Sequence, residues 1–319
     1  MGTYKRPLVI INPHSAGGRT GKQLDSITQT LSQYLDNVSV QTTTAPGHAI
    51  EIAAAHGPAH DLVIAVGGDG TLHEVANGLL RAKEQGALVP PLGSLPCGTG
   101  GDFRKSTKTP LEWARALTEM VSGVTTPIDV GKIRFGRPES AKYRYFVNVV
   151  SFGMGGLVDQ MVATWSRRLS GKSAYFVAST LALFKAKRAE LKCRIEWNGQ
   201  VREEVLSTWN IAVCNGRYFG AGMMVAPMAN LDDGRFEIVD LGFATRLGML
   251  ALGMWIYNGT HIGRSGIRHF PCHAIELELV DPTLSSVFCP DVDGEPVGTL
   301  PARVELLPRA LSIAGVTFK

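Results

Sequence analysis

Four groups of acidic residues sit among glycines in this chain. They are Asp69 in Gly67-Gly68-Asp69-Gly70-Thr71, Asp102 in Gly98-Thr99-Gly100-Gly101-Asp102, Asp232-Asp233 before Gly234, and Asp291, Asp293 and Glu295 around Gly294. A loop carboxylate can hold a hard cation, accept a proton or bind a hydroxyl. Glycines let backbone N–H groups approach a ligand without a Cβ in the way, and a helix N-terminus favours an anion. An acid such as Asp69 is out of place in a plain phosphate cradle, so a metal ion, a proton or a hydroxyl is its natural partner. The plainer reading makes Asp69 a helix cap and each Asp-Gly pair a hairpin turn. Asp233-Gly234 or Asp293-Gly294 alone reads as a hairpin, and their joint presence with the Gly67–Thr71 turn favours a site.

The elements around these groups are legible. Leu62-Val63-Ile64-Ala65-Val66 is an unbroken apolar run that ends in the Gly67–Thr71 segment, and Leu72, Val75, Ala76, Leu79 and Leu80 then recur at helical spacing. This reads as a buried parallel strand, a tight turn and a helix, with the turn at the carboxyl end of the strand where open α/β sheets bind ligands. Leu8–Ile11 is a first strand, followed by the Asn12–Gly18 loop and a helix from about Gly21 to Leu35 with Leu24, Ile27, Leu31 and Leu35 on one face. Val38–Thr42 is a second strand, Thr44–His48 a turn and Ala49–His56 a helix start. The repeating strand, loop and helix predict a parallel sheet with helices on both faces over residues 1–126. Near Thr125-Thr126-Pro127 the pattern changes, and residues 127–319 read as a mainly β, sandwich-like domain whose last residues can return to the first. Its strands are Ile128–Ile133, Tyr143–Val150, Cys193–Trp197, Trp209–Cys214, Phe236–Leu241, Ala274–Leu279 and Arg303–Leu307. Its helices are Leu157–Arg168, Ser173–Arg188 and Arg246–Asn258.

Composition narrows the classes. The 319 residues carry a formal net charge of +4 without a block of like charges, so no nucleic-acid partner is expected. The five cysteines are widely spaced without a C-x-x-C pair, which fits reduced thiols in a cytoplasmic protein rather than a disulfide frame or a zinc site. No signal peptide precedes the first strand, and the apolar runs Ala174–Phe184 and Leu247–Tyr257 are too short to span a bilayer. They read as buried helix faces, with membrane contact as the alternative. Gly171-Lys172-Ser173 has Ser166 where a P-loop needs its first glycine, and Gly98-Thr99-Gly100 has Phe103 where a dinucleotide fingerprint needs glycine.

Taken in order, the motifs resemble the diacylglycerol kinase catalytic family, in its soluble bacterial lipid kinase branch. The resemblance rests on Asn12-Pro13 with Ser15, Ala16 and Gly17, on Gly67–Leu72 with Glu74, Val75 and Asn77, and on Pro96, Gly98, Thr99, Asp102 and Phe103. It continues with Ile128-Asp129, Phe219–Met223, Ala226-Pro227, Ala229, Leu231–Gly234 and Asp293-Gly294-Glu295. It implies an ATP-binding α/β domain, a sandwich-like lipid-binding domain and an active site in the cleft between them, where ATP and Mg²⁺ serve to phosphorylate a lipid hydroxyl. By resemblance, Asn12, Thr44, Gly67, Gly68, Gly70, Thr71, Glu74, Gly98, Thr99 and Asp102 are the nucleotide-binding positions. Asp69 and Asp102 organise the Mg²⁺–phosphate network, with Asp129 a weaker member, and Glu295 is the general base. Asp233, with the carbonyls of Asn230 and Arg235, resembles a structural cation site.

The expected setting is cytoplasmic, peripheral at the inner membrane face, with a lipid substrate and a homodimer left open. Two departures from the family pattern stand out. Gly101 replaces a frequent Asn, and His73 fills another Asn slot, where it is expected on the exposed first turn of its helix. The competing readings are an NAD kinase and a non-catalytic nucleotide- or lipid-binding regulator.

Overall fold

The computed structural model describes residues 3–97, 101–136, 141–154, 186–243 and 245–318. The chain divides into two compact units, residues 1–128 with 308–319, and residues 129–307.

In the first unit the chain runs β1 (Pro7–Ile11), α1 (Arg19–Lys22), α2 (Leu24–Tyr34), β2 (Ser39–Thr42), α3 (His48–His56), β3 (Leu62–Gly67), α4 (Asp69–Glu84), β4 (Leu92–Pro96), α5 (Asp102–Thr107) and α6 (Trp113–Val121). The strands lie in the order β2-β1-β3-β4, all parallel, with Ile10 beside Ala65 and Ala65 beside Ser94. Every residue of β1 and β3 is buried, which explains their unbroken apolar runs: helices cover both faces. Val9, Ile11, Ile64 and Val66 share one core with Ile27 and Leu31 of α2 and with Leu117 and Met120 of α6. Helices α3 and α4 pack so closely that a Cβ on Gly78 would come within 2.4 Å of the Ile50 carbonyl oxygen.

The second unit is built from β strands. Here β5 (Thr125–Phe135) enters from the first unit, followed by β6 (Lys142–Phe146), β7 (Val149–Gly153), β8 (Ala189–Trp197), β9 (Gln200–Thr208), β10 (Asn210–Cys214) and β11 (Phe236–Leu241). Helix α7 (Arg246–Trp255) precedes β12 (Ile267–Cys272), β13 (Ala274–Leu279), β14 (Cys289–Val292), β15 (Glu295–Pro296) and β16 (Ala302–Ala314), whose end returns to the first unit with Ile313 beside Leu92. One antiparallel layer runs β16-β13-β8-β9, and the other runs β12-β11-β10-β7-β14-β15. Phe152, Ile211, Val213, Phe236 and Ile238 of one layer share a core with Leu191, Ile195, Ile275 and Leu277 of the other. The alternate residues Ala212, Cys214 and Val239 face a second core with Val225, Ala226, Leu252 and Ile256, so β10 is buried on both faces.

The structure differs from the sequence reading at several points. The single expected strand Tyr143–Val150 is broken into β6 and β7, because Val147 and Asn148 leave the ladder to bond the Asp293 carboxylate. Strand β9 was not anticipated, since most of Gln200–Thr208 is exposed and polar and shows little apolar alternation. His73 is 1% exposed and packs with Asn77 rather than lying on an open turn, because the first turns of α4 are covered. Gly67 serves packing and not only the approach of a ligand, since Thr71 Oγ1 would be 2.3 Å from a Cβ there. The expected helices Leu157–Arg168 and Ser173–Arg188 lie outside the described residues, apart from residues 186–188, which are not helical.

Candidate active site

In the first unit the acids gather where parallel strands end. Asp69 is the first residue of α4, directly after β3. Its carboxylate does not cap its own helix. Oδ2 accepts the N–H of Asp102 at 3.0 Å and Oδ1 that of Phe103 at 3.3 Å, so it anchors the start of α5 beyond the neighbouring strand β4. Asp102 is buried, and its Oδ1 lies 3.1 Å from the Lys105 ammonium. Gly101 precedes it at φ +69°, a left-handed conformation that Asn also adopts more readily than most residues.

The loop after β1 is tied to the same place. Asn12 Nδ2 donates to Thr71 Oγ1 at 3.2 Å, and the Ser15 and Thr20 hydroxyls are 2.6 Å apart. The N–H of Cys97 donates to the Gly67 carbonyl at 2.8 Å, and burial pushes the Cys97 thiol up to about 11 despite the Thr20 hydrogen bond. Ala16 (φ 54°), Gly17 and Gly18 are left-handed in succession, and the first is a strained conformation for alanine. Glu74 takes the N–H groups of Gly47 (2.8 Å) and Ala49 (3.1 Å), so its carboxylate shapes the turn after Thr44. Thr44 itself donates its N–H to His48 Nδ1. Gly98 and Thr99 lie outside the described residues.

In the second unit the late acidic turn is a two-residue hairpin. Asp293 (φ 51°) and Gly294 (φ 90°) join β14 to β15, as the Asp-Gly pair favours. The Asp293 carboxylate accepts three backbone N–H groups: Val147 at 3.0 Å, Asn148 at 3.0 Å and Val149 at 2.9 Å. Asp291 Oδ1 accepts the Gly294 N–H at 2.8 Å, which fixes the tip that presents Glu295. The same Val147-Asn148 segment is gripped from its other side by Asn215. Its Nδ2 donates to the carbonyls of Val147 (2.8 Å) and Asp129 (2.9 Å), and its N–H donates to that of Asn148. Asp129 is buried, and its Oδ2 accepts the Gly234 N–H at 2.7 Å. Asp233 pairs with Arg235 at 3.1 Å, and burial raises its carboxyl above the usual range while Arg235 opposes the rise. Asn215 and the holding role of Asp293 escaped the sequence reading. Their signal is an asparagine inside, or just after, an apolar strand, in Val147-Asn148-Val149 and Val213-Cys214-Asn215.

Residues 6–133 match the diacylglycerol kinase catalytic domain, and residues 148–315 match the YegS C-terminal NAD kinase beta sandwich-like domain. The chain belongs to the bacterial diacylglycerol kinase and YegS-like lipid kinase family. It is 27% identical over 313 residues to a diacylglycerol kinase of Bacillus subtilis, covering 97% of this chain and 96% of that one. It is 30% identical over 254 residues to a YegS-like lipid kinase of Pectobacterium atrosepticum, covering 79% and 77%. A crystal structure of a diacylglycerol kinase from Bacillus anthracis str. Sterne shares the fold, with a TM-score of 0.70 at 22% identity over 98% of each chain. As a member of this family the chain is a kinase.

Kinases work with a divalent cation, and the donors here decide what kind of site could hold one. Among the described residues no three His, Cys, Asp or Glu side chains form a metal cage. A Mg²⁺ ion needs none: it keeps several waters and takes one or two carboxylates plus phosphate oxygens. Asp69 and Asp102, hard donors linked by one hydrogen bond, fit that mode, with a cation at Asp102 competing with the Lys105 ammonium on its Oδ1. At Asp233 the carboxylate already pairs with the Arg235 guanidinium, so a cation held there with the Asn230 and Arg235 carbonyls would have to displace it.

Proposed function

We propose that this kinase transfers the γ-phosphate of ATP to the hydroxyl of a lipid of the diacylglycerol-like or sphingoid class. The observation that carries the reading is the Asp69 carboxylate on the N–H groups of Asp102 and Phe103. It joins two acids at the carboxyl ends of adjacent parallel strands, the place where open α/β sheets bind nucleotides.

In this reading Asn12, Thr71 and the Thr44 turn shaped by Glu74 border the nucleotide. Asp69 and Asp102 are the residues that would hold Mg²⁺, which when bound neutralises phosphate charge. Glu295 accepts the proton as the acceptor oxygen forms its bond to the γ-phosphorus and the bond to ADP breaks. Phosphoryl transfer asks mainly for positioning and charge neutralisation, which suits loops pinned by carboxylates. A lipid acceptor also implies a peripheral location at the inner membrane face. No described helix is long and apolar enough to cross a membrane.

A second reading, NAD kinase, is kept because the C-terminal match is to an NAD kinase-like sandwich. The test is transfer from radiolabelled ATP with Mg²⁺ to a panel of diacylglycerol, phosphatidylglycerol, sphingosine, ceramide and NAD. Label in a lipid is the expected result. Label in NAD alone would promote the second reading, and ATP binding without label in any acceptor would favour a non-catalytic regulator.

A further inference from the structure

Gly101 stands where the family pattern often has Asn, and its left-handed backbone would accept that residue. The space beside it would not. A Cβ on Gly101 would lie 3.2 Å from Nε of Arg104, with Arg104 Cβ and Cδ at 3.8 and 3.9 Å. Arg104 is three residues further on, in the first turn of α5, and helical side chains lean back toward the helix start. Its stem therefore covers Gly101. An Asn side chain at 101 and the Arg104 side chain would compete for one place. The chain lacks a neutral amide there and carries a cation over the same backbone.

Arg104 is held from both sides. Asp69 grips the N–H groups of Asp102 and Phe103, the two residues between Gly101 and Arg104. Phe103 and Thr107 bury the inner side of α5. At the far end, Arg104 Nη1 donates to the Thr109 carbonyl at 3.2 Å. That contact uses one of the five N–H donors of a guanidinium. The neighbouring cation, Lys105, is already on the Asp102 carboxylate, whereas no carboxylate of the described residues pairs with Arg104. A half-buried guanidinium with donors to spare, two residues from Asp102, is suited to an anion. Its planar fork matches the oxygens of a phosphate better than any neutral group.

We infer that the Arg104 guanidinium contacts a phosphate of the bound ATP, in the place the family's amide would fill, and so sets how tightly this chain holds its donor. The inference rests on the ATP-donor reading and deepens it. The plainer role for Arg104 is to close the loop after α5 through Thr109. The two roles separate electrostatically, because a loop closure is indifferent to salt and a contact between guanidinium and phosphate is not.

The test is calorimetric binding of ATP with Mg²⁺ to the full chain without any acceptor, so turnover is not needed. Arg104→Gln should weaken binding about tenfold at low salt, the scale of one charged hydrogen bond, and the gap should narrow as salt rises. Gly101→Asn should weaken binding about threefold, because the added side chain pushes the guanidinium aside. In Gly101→Asn with Arg104→Ala the amide has room, so the double variant should bind ATP more tightly than Arg104→Ala alone.

The inference is overturned if Arg104→Gln binds ATP like the parent. It is equally overturned if the loss is the same at low and high salt and comes with a lowered melting temperature, the mark of a loop closed through Thr109. Losses that simply multiply in the double variant would also overturn it. Failure of transfer to every lipid, with these differences in ATP binding intact, would defeat the lipid-kinase reading and leave the role of Arg104 standing.

Discussion

Asp69 and Asp293 both spend their carboxylates on backbone N–H groups of a neighbouring segment, yet they hold different things. Asp69 sits at the end of a buried parallel strand and grips the start of α5, so its charge stays beside the acid it positions, Asp102. Asp293 sits at the tip of a hairpin and turns onto Val147, Asn148 and Val149, which leaves its neighbour two residues on, Glu295, as the candidate for chemistry. The first carboxylate is both anchor and candidate ligand, and the second is an anchor alone. Loss of Asp69 should therefore cost more than the loop it holds, whereas loss of Asp293 should act through Glu295.

The largest effect is expected at Asp69. Asp69→Ala should lower transfer by roughly 10³-fold, the scale of removing a preorganised electrostatic group. It should lower stability by only about 1 kcal/mol, the scale of a lost cap. Asp69→Asn keeps one acceptor oxygen but turns an amide N–H toward the second backbone N–H, so its melting temperature should recover only in part while transfer stays low. Equal recovery of both would make Asp69 an anchor like Asp293.

Asp293→Asn should reduce kcat about tenfold and stability by about 1–3 kcal/mol, because hydrogen bonds to a charged acceptor are lost. The KM for ATP should hold steady, and a raised KM instead would place Asp293 in the nucleotide's surroundings. Gly78→Ala serves as a control remote from both acids: the Ile50 carbonyl leaves no room for a methyl, so stability should fall by about 1–3 kcal/mol in chemical denaturation. Activity per folded molecule should not change.

The smallest effect concerns His261, whose ring is fully buried with Nε2 2.9 Å from the Val225 carbonyl. Burial holds its imidazole below the ordinary 6.5. The unfolded chain therefore takes up the proton first, and stability should fall as pH drops below about 6.5. Melts at stepped pH should show this decline, and His261→Phe should flatten it.

These regions differ in how much of them the sequence discloses. Strands β1 and β3 are buried on both faces, so their apolar runs announce a parallel sheet, and the turn after β3 advertises its acid by its glycines. The Asp293-Gly294 hairpin is equally plain, because two left-handed residues in a row call for that pair. What stays hidden is long-range. No local pattern links Asp69 to the N–H groups of residues 33 and 34 positions away, or Asp293 to a segment about 145 residues upstream. The break between β6 and β7 was missed for that reason: an apolar run continues across Asn148, and only the distant carboxylate ends the ladder. His73 was misjudged because the cover over α4 comes from the fold and not from the helix's own pattern.

The proposed reaction divides the labour, with phosphate handled in the Asp69–Asp102 region and the acceptor hydroxyl by Glu295. It is tested most directly by measuring ATP binding and phosphate transfer on the same preparation of Glu295→Gln, with the lipid the parent accepts. ATP should bind as it does to the parent while transfer falls by roughly 10²–10⁴-fold, as for a lost general base. Unchanged transfer, or a loss that follows weakened ATP binding, would rule out that division.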